Sequence, residues 1–235
     1  MIRNVLIAMI IAAMLVACGD GNKKMSQKEI KAALGVVDGQ ANELRIGGVL
    51  LRIPSKYKIK FVDVDEKKIK AKAYDEAVWR VTFHMDLSSW FEPPPVTPAE
   101  GNALVRISIS NKGYEDPAER EQDFESRDWV SRRDIPEWGL REYISKLFPK
   151  RSGWGALSYR ALDATTPMGG PILFGCSTEH AAEKRNEAKA AQCGSGFQTE
   201  QGPTVGYMLS NDLLPRWKDV HTEVLNLVNS LIVEE

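Results

Sequence analysis

Three histidines, His84, His180 and His221, set the outer limit on acid–base or nucleophilic chemistry in this 235-residue chain. A general base has to be carried into hydrogen-bond reach of the proton it takes, and the surroundings of these three point elsewhere. His84 falls on the polar phase of an alternating segment, and His180 lies in a run of charged and small residues. His221 sits beside the apolar stripe of a C-terminal helical pattern, where a packed imidazole is the simplest reading. Ser195 stands in Gly194-Ser195-Gly196, without the Gly-x-Ser-x-Gly spacing that presents a nucleophile on a sharp strand-to-helix turn. The sequence holds no phosphate-cradling P-loop, dinucleotide fingerprint, His-Glu-x-x-His pair or EF-hand loop. With 32 acidic residues, a paired-carboxylate hydrolase has its raw material, yet no spacing selects a pair. No catalytic set, metal ligand set or cofactor is therefore expected.

The cysteines carry more information. Arg3 gives a positive start, and residues 5–16 form an apolar run that is too short to span a bilayer and suits the hydrophobic region of an export signal. The run ends in Leu15-Val16-Ala17-Cys18, which resembles the lipobox of bacterial lipoproteins. That resemblance covers the first twenty residues or so. It implies removal of residues 1–17, lipidation of the Cys18 thiol, a tether over residues 18–25, and anchoring in the cell envelope facing the periplasm. Gly19 follows the cysteine and Asp20 comes one place later, a pattern that in the family's sorting rules implies the outer rather than the inner membrane. Two or three acyl chains, each methylene contributing about 0.8 kcal/mol, hold a protein stably where one chain would not. In an oxidising compartment the remaining pair, Cys176 and Cys193, reads as a disulfide. Metal ligation is the rival reading, but neither a His nor a third Cys lies at zinc-like spacing.

Charge excludes some partners. The first 17 residues carry one of the 31 basic side chains, so the rest of the chain is close to balanced against its 32 acids. Nothing in that balance favours nucleic acid.

The elements that must position any site read as α+β. Ser26 and Glu29 form a capping box before a short helix, with Met25 and Ile30 at staple positions and Gly35 past its end. Residues 43–85 alternate with period two. Leu44 and Ile46 turn through Gly47-Gly48 into Val49, Leu51 and Ile53, and Tyr57, Ile59 and Phe61 are expected on one face. Ile69, Ala71 and Ala73 continue the alternation, and Trp79, Val81, Phe83 and Met85 then oppose Arg80, Thr82 and His84. This predicts an antiparallel meander with one wet face. The prolines of residues 92–101 predict a connector, and residues 104–110 another strand. Residues 115–128 hold seven acids and read as a solvated loop or frayed helix. Asp134 and Pro136 open a second helical pattern, with Leu140, Tyr143, Ile144, Leu147 and Phe148 as its stripe and Pro149 as its stop. Strands follow at residues 157–161 and 171–174, then a hairpin through residues 200–203. The strongest pattern comes last. Trp217, Val220, Val224, Val228 and Leu231 recur at helical spacing and predict a long helix covering a sheet face. A single domain over residues 26–235, or two subdomains divided near residue 150, fits this order.

Between the paired cysteines, residues 179–191 are helix formers without a large apolar side chain. A disulfide holds its Cα atoms within about 7 Å, so this segment is expected to double back as a polar lobe stapled at its base. A lipid-tethered, disulfide-stapled α+β body with acidic and polar projecting loops is similar in architecture to the immunity lipoproteins that protect bacteria from type VI secretion effectors in the periplasm. No site residue is carried over from that likeness. Three readings stay open: a binding or inhibitory module for a protein partner such as a toxin, an envelope maintenance or assembly lipoprotein, and a periplasmic hydrolase. For a partner surface, the polar projections nominate Glu115, Asp116, Glu119, Glu121 and Asp123 in one segment, and Glu183, Arg185 and Glu187 in the other.

Overall fold

The computed structural model describes residues 24–91, 103–113, 116–146, 155–178 and 190–233. The apolar N-terminal run with Cys18, the proline-rich connector, Glu115, and the segment carrying His180, Glu183, Arg185 and Glu187 lie outside the described residues. The fold is α+β. Nine antiparallel strands form one sheet in the order β3-β4-β5-β11-β10-β9-β8-β7-β6, and β1 and β2 form a separate two-stranded hairpin. The strands are β1 Asn42–Ile46, β2 Val49–Ile53, β3 Ile59–Val64, β4 Val78–Asp86, β5 Leu104–Ser110, β6 Trp129–Ile135, β7 Leu140–Ser145, β8 Leu157–Thr165, β9 Pro171–Thr178, β10 Ala190–Gln198 and β11 Thr204–Ser210. Among the described residues, the α-helices are α1 Gln27–Ala33, α2 Glu66–Lys70, α3 Pro117–Ser126 and α4 Trp217–Leu231. None of them is long and apolar enough to cross a membrane.

Helix α4 covers one face of the large sheet, as its periodicity requires. Val220 and Val224 are fully buried, and Trp217 stacks edge-on against Phe174 of β9 at 5.7 Å. The β1–β2 hairpin extends the same cover, and the chain end joins it through a bridge from Ile232 to Leu51. The covered face is built from cross-strand rows such as Phe83, Ile107 and Tyr207, which fall in register on β4, β5 and β11. The sheet has β3 and β6 at its edges. At the β3 edge, the Gln27 side chain of α1 accepts from the Val62 amide at 2.8 Å and donates to the Val62 carbonyl at 3.0 Å. It thereby occupies the backbone groups that a further strand would take. The capping box of α1 forms as expected, and Gly35 takes the left-handed conformation with φ +68°.

Three local expectations fail. The helix expected from Asp134 is instead the hairpin of β6 and β7. Pro136 to Gly139 makes its turn, with Gly139 at φ +63°, and Ile135 pairs with Leu140. Leu140, Glu142 and Ile144 share a strand face, and an alternating set overlaps a helical set over so few residues. Ile69 belongs not to a strand but to α2, where Asp65 caps the helix by accepting from the Lys67 amide. Phe61 leaves the face of Tyr57 and Ile59 because the β3–β4 register shifts between Ile59 and Phe61. Such a bulge turns the next side chain to the other side, and Phe61 is 53% exposed. So the second shorter helix is absent where the sequence placed it, and α2 and α3 stand in other segments.

Candidate functional site

The face of the sheet away from α4 is only partly covered. Helix α3 starts at Asp116, whose side chain accepts from the Ala118 and Glu119 amides, with Pro117 at the first helical position. Its one buried residue, Phe124, seats the helix on this face in a cluster with Tyr143, Leu173 and Trp129. Charged contacts fix its orientation. Glu121 pairs with Arg160 of β8, Glu125 accepts from the Tyr143 hydroxyl at 3.0 Å, and Arg120 reaches down to the Gly196 carbonyl at 3.2 Å. Burial lowers the Arg120 pKa.

Among the described residues the rest of the face is open, and it forms a trough with a volume of about 650 Å³ running from β3 to β9. Its walls are Phe61 and Asp63 on β3, Arg80 and Thr82 on β4, Arg106 and Ser108 on β5, and Met208 on β11. Its floor is glycine. Gly194 pairs with Gly175 on one side, Gly196 pairs with Gly206 on the other, and all four face away from α4. At Gly196 a Cβ would meet the Val205 carbonyl oxygen at 2.7 Å, so glycine is required there by the backbone. At Gly175 and Gly206 a Cβ would meet nothing within 4 Å, so their missing side chains leave space above the sheet. Smaller hollows of about 330 Å³ beside α3 and about 250 Å³ beside His84 adjoin the trough.

The trough is basic. Arg80 is matched by Asp63 at 2.6 Å, and Arg127 by Asp123 at 2.6 Å. Arg106 is exposed, lies against the Met208 sulfur, and has no carboxylate partner among the described residues. Partial burial, then the charges of Lys60 and Arg106, lowers the pKa of His84.

The residues that could have formed a catalytic set do come together, but in the core. Ser195 pairs across the strands with Tyr207, whose hydroxyl lies 2.9 Å from Nδ1 of His221. Tyr207 is 1% and His221 6% exposed, so no substrate reaches them. Among the described residues the Ser195 hydroxyl and His221 Nε2 have no hydrogen-bond partner. Burial pushes the His221 pKa down to about 4 from 6.5, and it raises the phenol of Tyr207. Among the described residues, no group of three His, Cys, Asp or Glu is placed to hold a metal. Cys176 and Cys193 sit directly opposite each other on β9 and β10 and form a disulfide, with Cα atoms 4.1 Å apart.

The state of His221 predicts a pH dependence. Between pH 6.5 and about 4 the unfolded histidine binds a proton that the folded one refuses, so stability is complete above 6.5 and falls as pH falls through that window. The loss should reach about 2 kcal/mol at pH 5. Thermal midpoints should be level from pH 8 to 6.5 and then drop. His221→Phe should flatten the drop in part, because His84 adds a slope of the same sign. An equal slope in the variant would remove His221 from this account.

Of the acids nominated for a partner surface, Asp116 is occupied as the helix cap, Glu121 and Asp123 are in ion pairs, and Glu119 stands exposed. The trough itself went unread in the sequence. Its glycines belong to three separate strands, and only the strand order brings them together.

No protein-family model matches the chain, and no curated protein matches it. Among solved structures, it is similar to that of an immunity protein of the Stenotrophomonas maltophilia type IV secretion system. The identity is 14% and the TM-score 0.48, over 83% of this chain and 94% of that one. At those values the likeness is one of outline.

Proposed function

We propose that this chain is a binding module held at the membrane by lipid on Cys18, facing the periplasm from the outer membrane, and that it neutralises a secreted antibacterial effector. The observation that carries the binding role is the sheet with one face sealed by α4 and the other left as a basic, glycine-floored trough. An antiparallel sheet commonly leaves one face to water; this one is set apart by a hollow of about 650 Å³ with an arginine in its wall that has no carboxylate partner among the described residues. The burial of Tyr207 and His221, 1% and 6% exposed, weighs against the hydrolase alternative. The buried Cys176–Cys193 disulfide suits an oxidising compartment and so supports export. Glu119, exposed on α3, is a proposed contact together with the acids flanking it, and the segment carrying Glu183, Arg185 and Glu187 is a second one.

The test has two arms. Cells intoxicated in the periplasm by the effector should survive when they express the full chain, and the purified domain should retain that effector on a column. Cys18→Ser should move the protein from the membrane to the soluble fraction and weaken protection. Failure to retain any secreted effector, together with no protection, removes the immunity role. Retention of a resident envelope protein instead would assign the chain to envelope assembly.

A further inference from the structure

We infer that the trough seats an extended, acidic segment of the partner protein, laid across the strands from β3 to β9, with Arg106 as its central contact. This inference rests on the reading of the chain as a binding module and specifies the chemistry of what it binds.

Four observations lead there. The first is shape. The trough crosses six strands, β3, β4, β5, β11, β10 and β9. At about 4.8 Å between neighbours this is a length of about 24 Å, which matches an extended segment of about seven residues. A compact small ligand would leave most of that length empty. The second is the floor. Gly206, Gly194 and Gly175 put bare backbone under the β11–β9 half of the trough, so side chains of the incoming segment have room to descend. The third is charge. Arg106 stands at the centre with no carboxylate partner among the described residues, while Lys60 is exposed nearby and Arg120 and Arg127 flank the α3 end. The acids along the trough, Asp63 and Asp123, already face arginines. A guanidinium with no carboxylate opposite it among the described residues selects for carboxylate, to which it binds in a two-pronged geometry. Partial burial lowers the pKa of His84, and Lys60 and Arg106 lower it further. The fourth is apolar surface. Phe61, turned out by the bulge in β3, and Met208 lie along the same walls, so the preferred segment alternates acidic with apolar residues. Nucleic acid is disfavoured, because a chain with net charge −1 offers no extended basic track.

Fluorescence anisotropy with the purified protein tests this directly. The probe is a labelled heptapeptide alternating Glu with Leu, compared with its Gln-for-Glu twin. The Glu peptide should bind and the Gln peptide should bind at least about tenfold more weakly. Arg106→Glu should weaken the Glu peptide by a similar factor. Gly206→Val should do so as well without loss of thermal stability, since its side chain enters open space and suits a strand. Arg52→Glu, on β2 and outside the trough, should leave binding unchanged. Equal binding of the two peptides, or binding indifferent to both trough variants, overturns the inference. So does displacement of the peptide by inorganic phosphate at equal concentration, which would mark a small-anion site. The two levels separate cleanly. Effector capture that survives Arg106→Glu and Gly206→Val leaves the binding role standing and takes the trough out of it. Peptide binding in a protein that captures no effector does the reverse.

Discussion

Val224→Asp should abolish folding. Val224 is fully buried in the middle of α4, between Val220 and Val228, which are 0% and 1% exposed. The helix is the principal cover of one whole face of the nine-stranded sheet, so its stripe has no alternative place to go. An aspartate there must either be desolvated as a charge or take up a proton. It also loses the apolar area that valine buried. The cost should exceed about 4 kcal/mol, a large part of the total stability of a domain this size. The full chain carrying Val224→Asp should appear in the insoluble fraction, or lack the near-ultraviolet circular dichroism of packed tryptophans. Val224→Ala, which removes volume without burying a charge, should fold and lose about 2 kcal/mol. A soluble, protease-resistant Val224→Asp protein would mean that α4 does not pack on the sheet through Val224.

Removal of the disulfide is the second large effect. Cys176 and Cys193 are both fully buried and lie opposite each other in adjacent strands. The bond closes a loop with a sequence separation of 17, which in the chain-entropy model contributes about 3 kcal/mol by restricting the unfolded chain. Replacing both residues with alanine should lower the unfolding free energy by about that amount. The midpoint should fall by roughly 6–12 °C, given 2–4 °C per kcal/mol at this chain length. Urea titration of the oxidised and alanine-substituted proteins measures it. Because neither sulfur is exposed, mild reductant should act on the native protein only as fast as the strands open. A loss below about 1 kcal/mol would show that the ladder pairing of β9 with β10 already holds the loop ends together. The bond also borders the trough, since Gly175 and Gly194 follow it in the same ladder. Its loss should therefore loosen the glycine floor as well as lower stability.

The acidic helix shows why charge alone misleads. Seven acids in residues 115–128 look like a solvated projection. One aromatic, Phe124, is enough to dock α3 against Tyr143 and Leu173, and the arginines Arg120 and Arg160 draw the helix down onto the sheet. Several acids are then structural partners rather than free charges.

Some features of the molecule are dictated locally. The capping box at Ser26, the Gly47-Gly48 hairpin, the cysteine pairing and the α4 stripe each depend on residues near one another, or on a period long enough to be unambiguous. They are legible without a structure. The α+β class follows from them. Short segments with mixed periods were decided elsewhere. Residues 134–145 satisfy a helical and an alternating pattern alike, and pairing of β7 with β8 on its far side settled the choice as strand. Phe61 was turned outward by a register shift that depends on the partner strand. The trough is the extreme case. Gly175, Gly194, Gly206 and Arg106 mean little one by one, and they become one surface only because β5 lies beside β11, and β11 beside β10. Sequence governs what each stretch of chain prefers; the order in which strands meet governs which side chains become neighbours, and so where this protein has something to offer a partner.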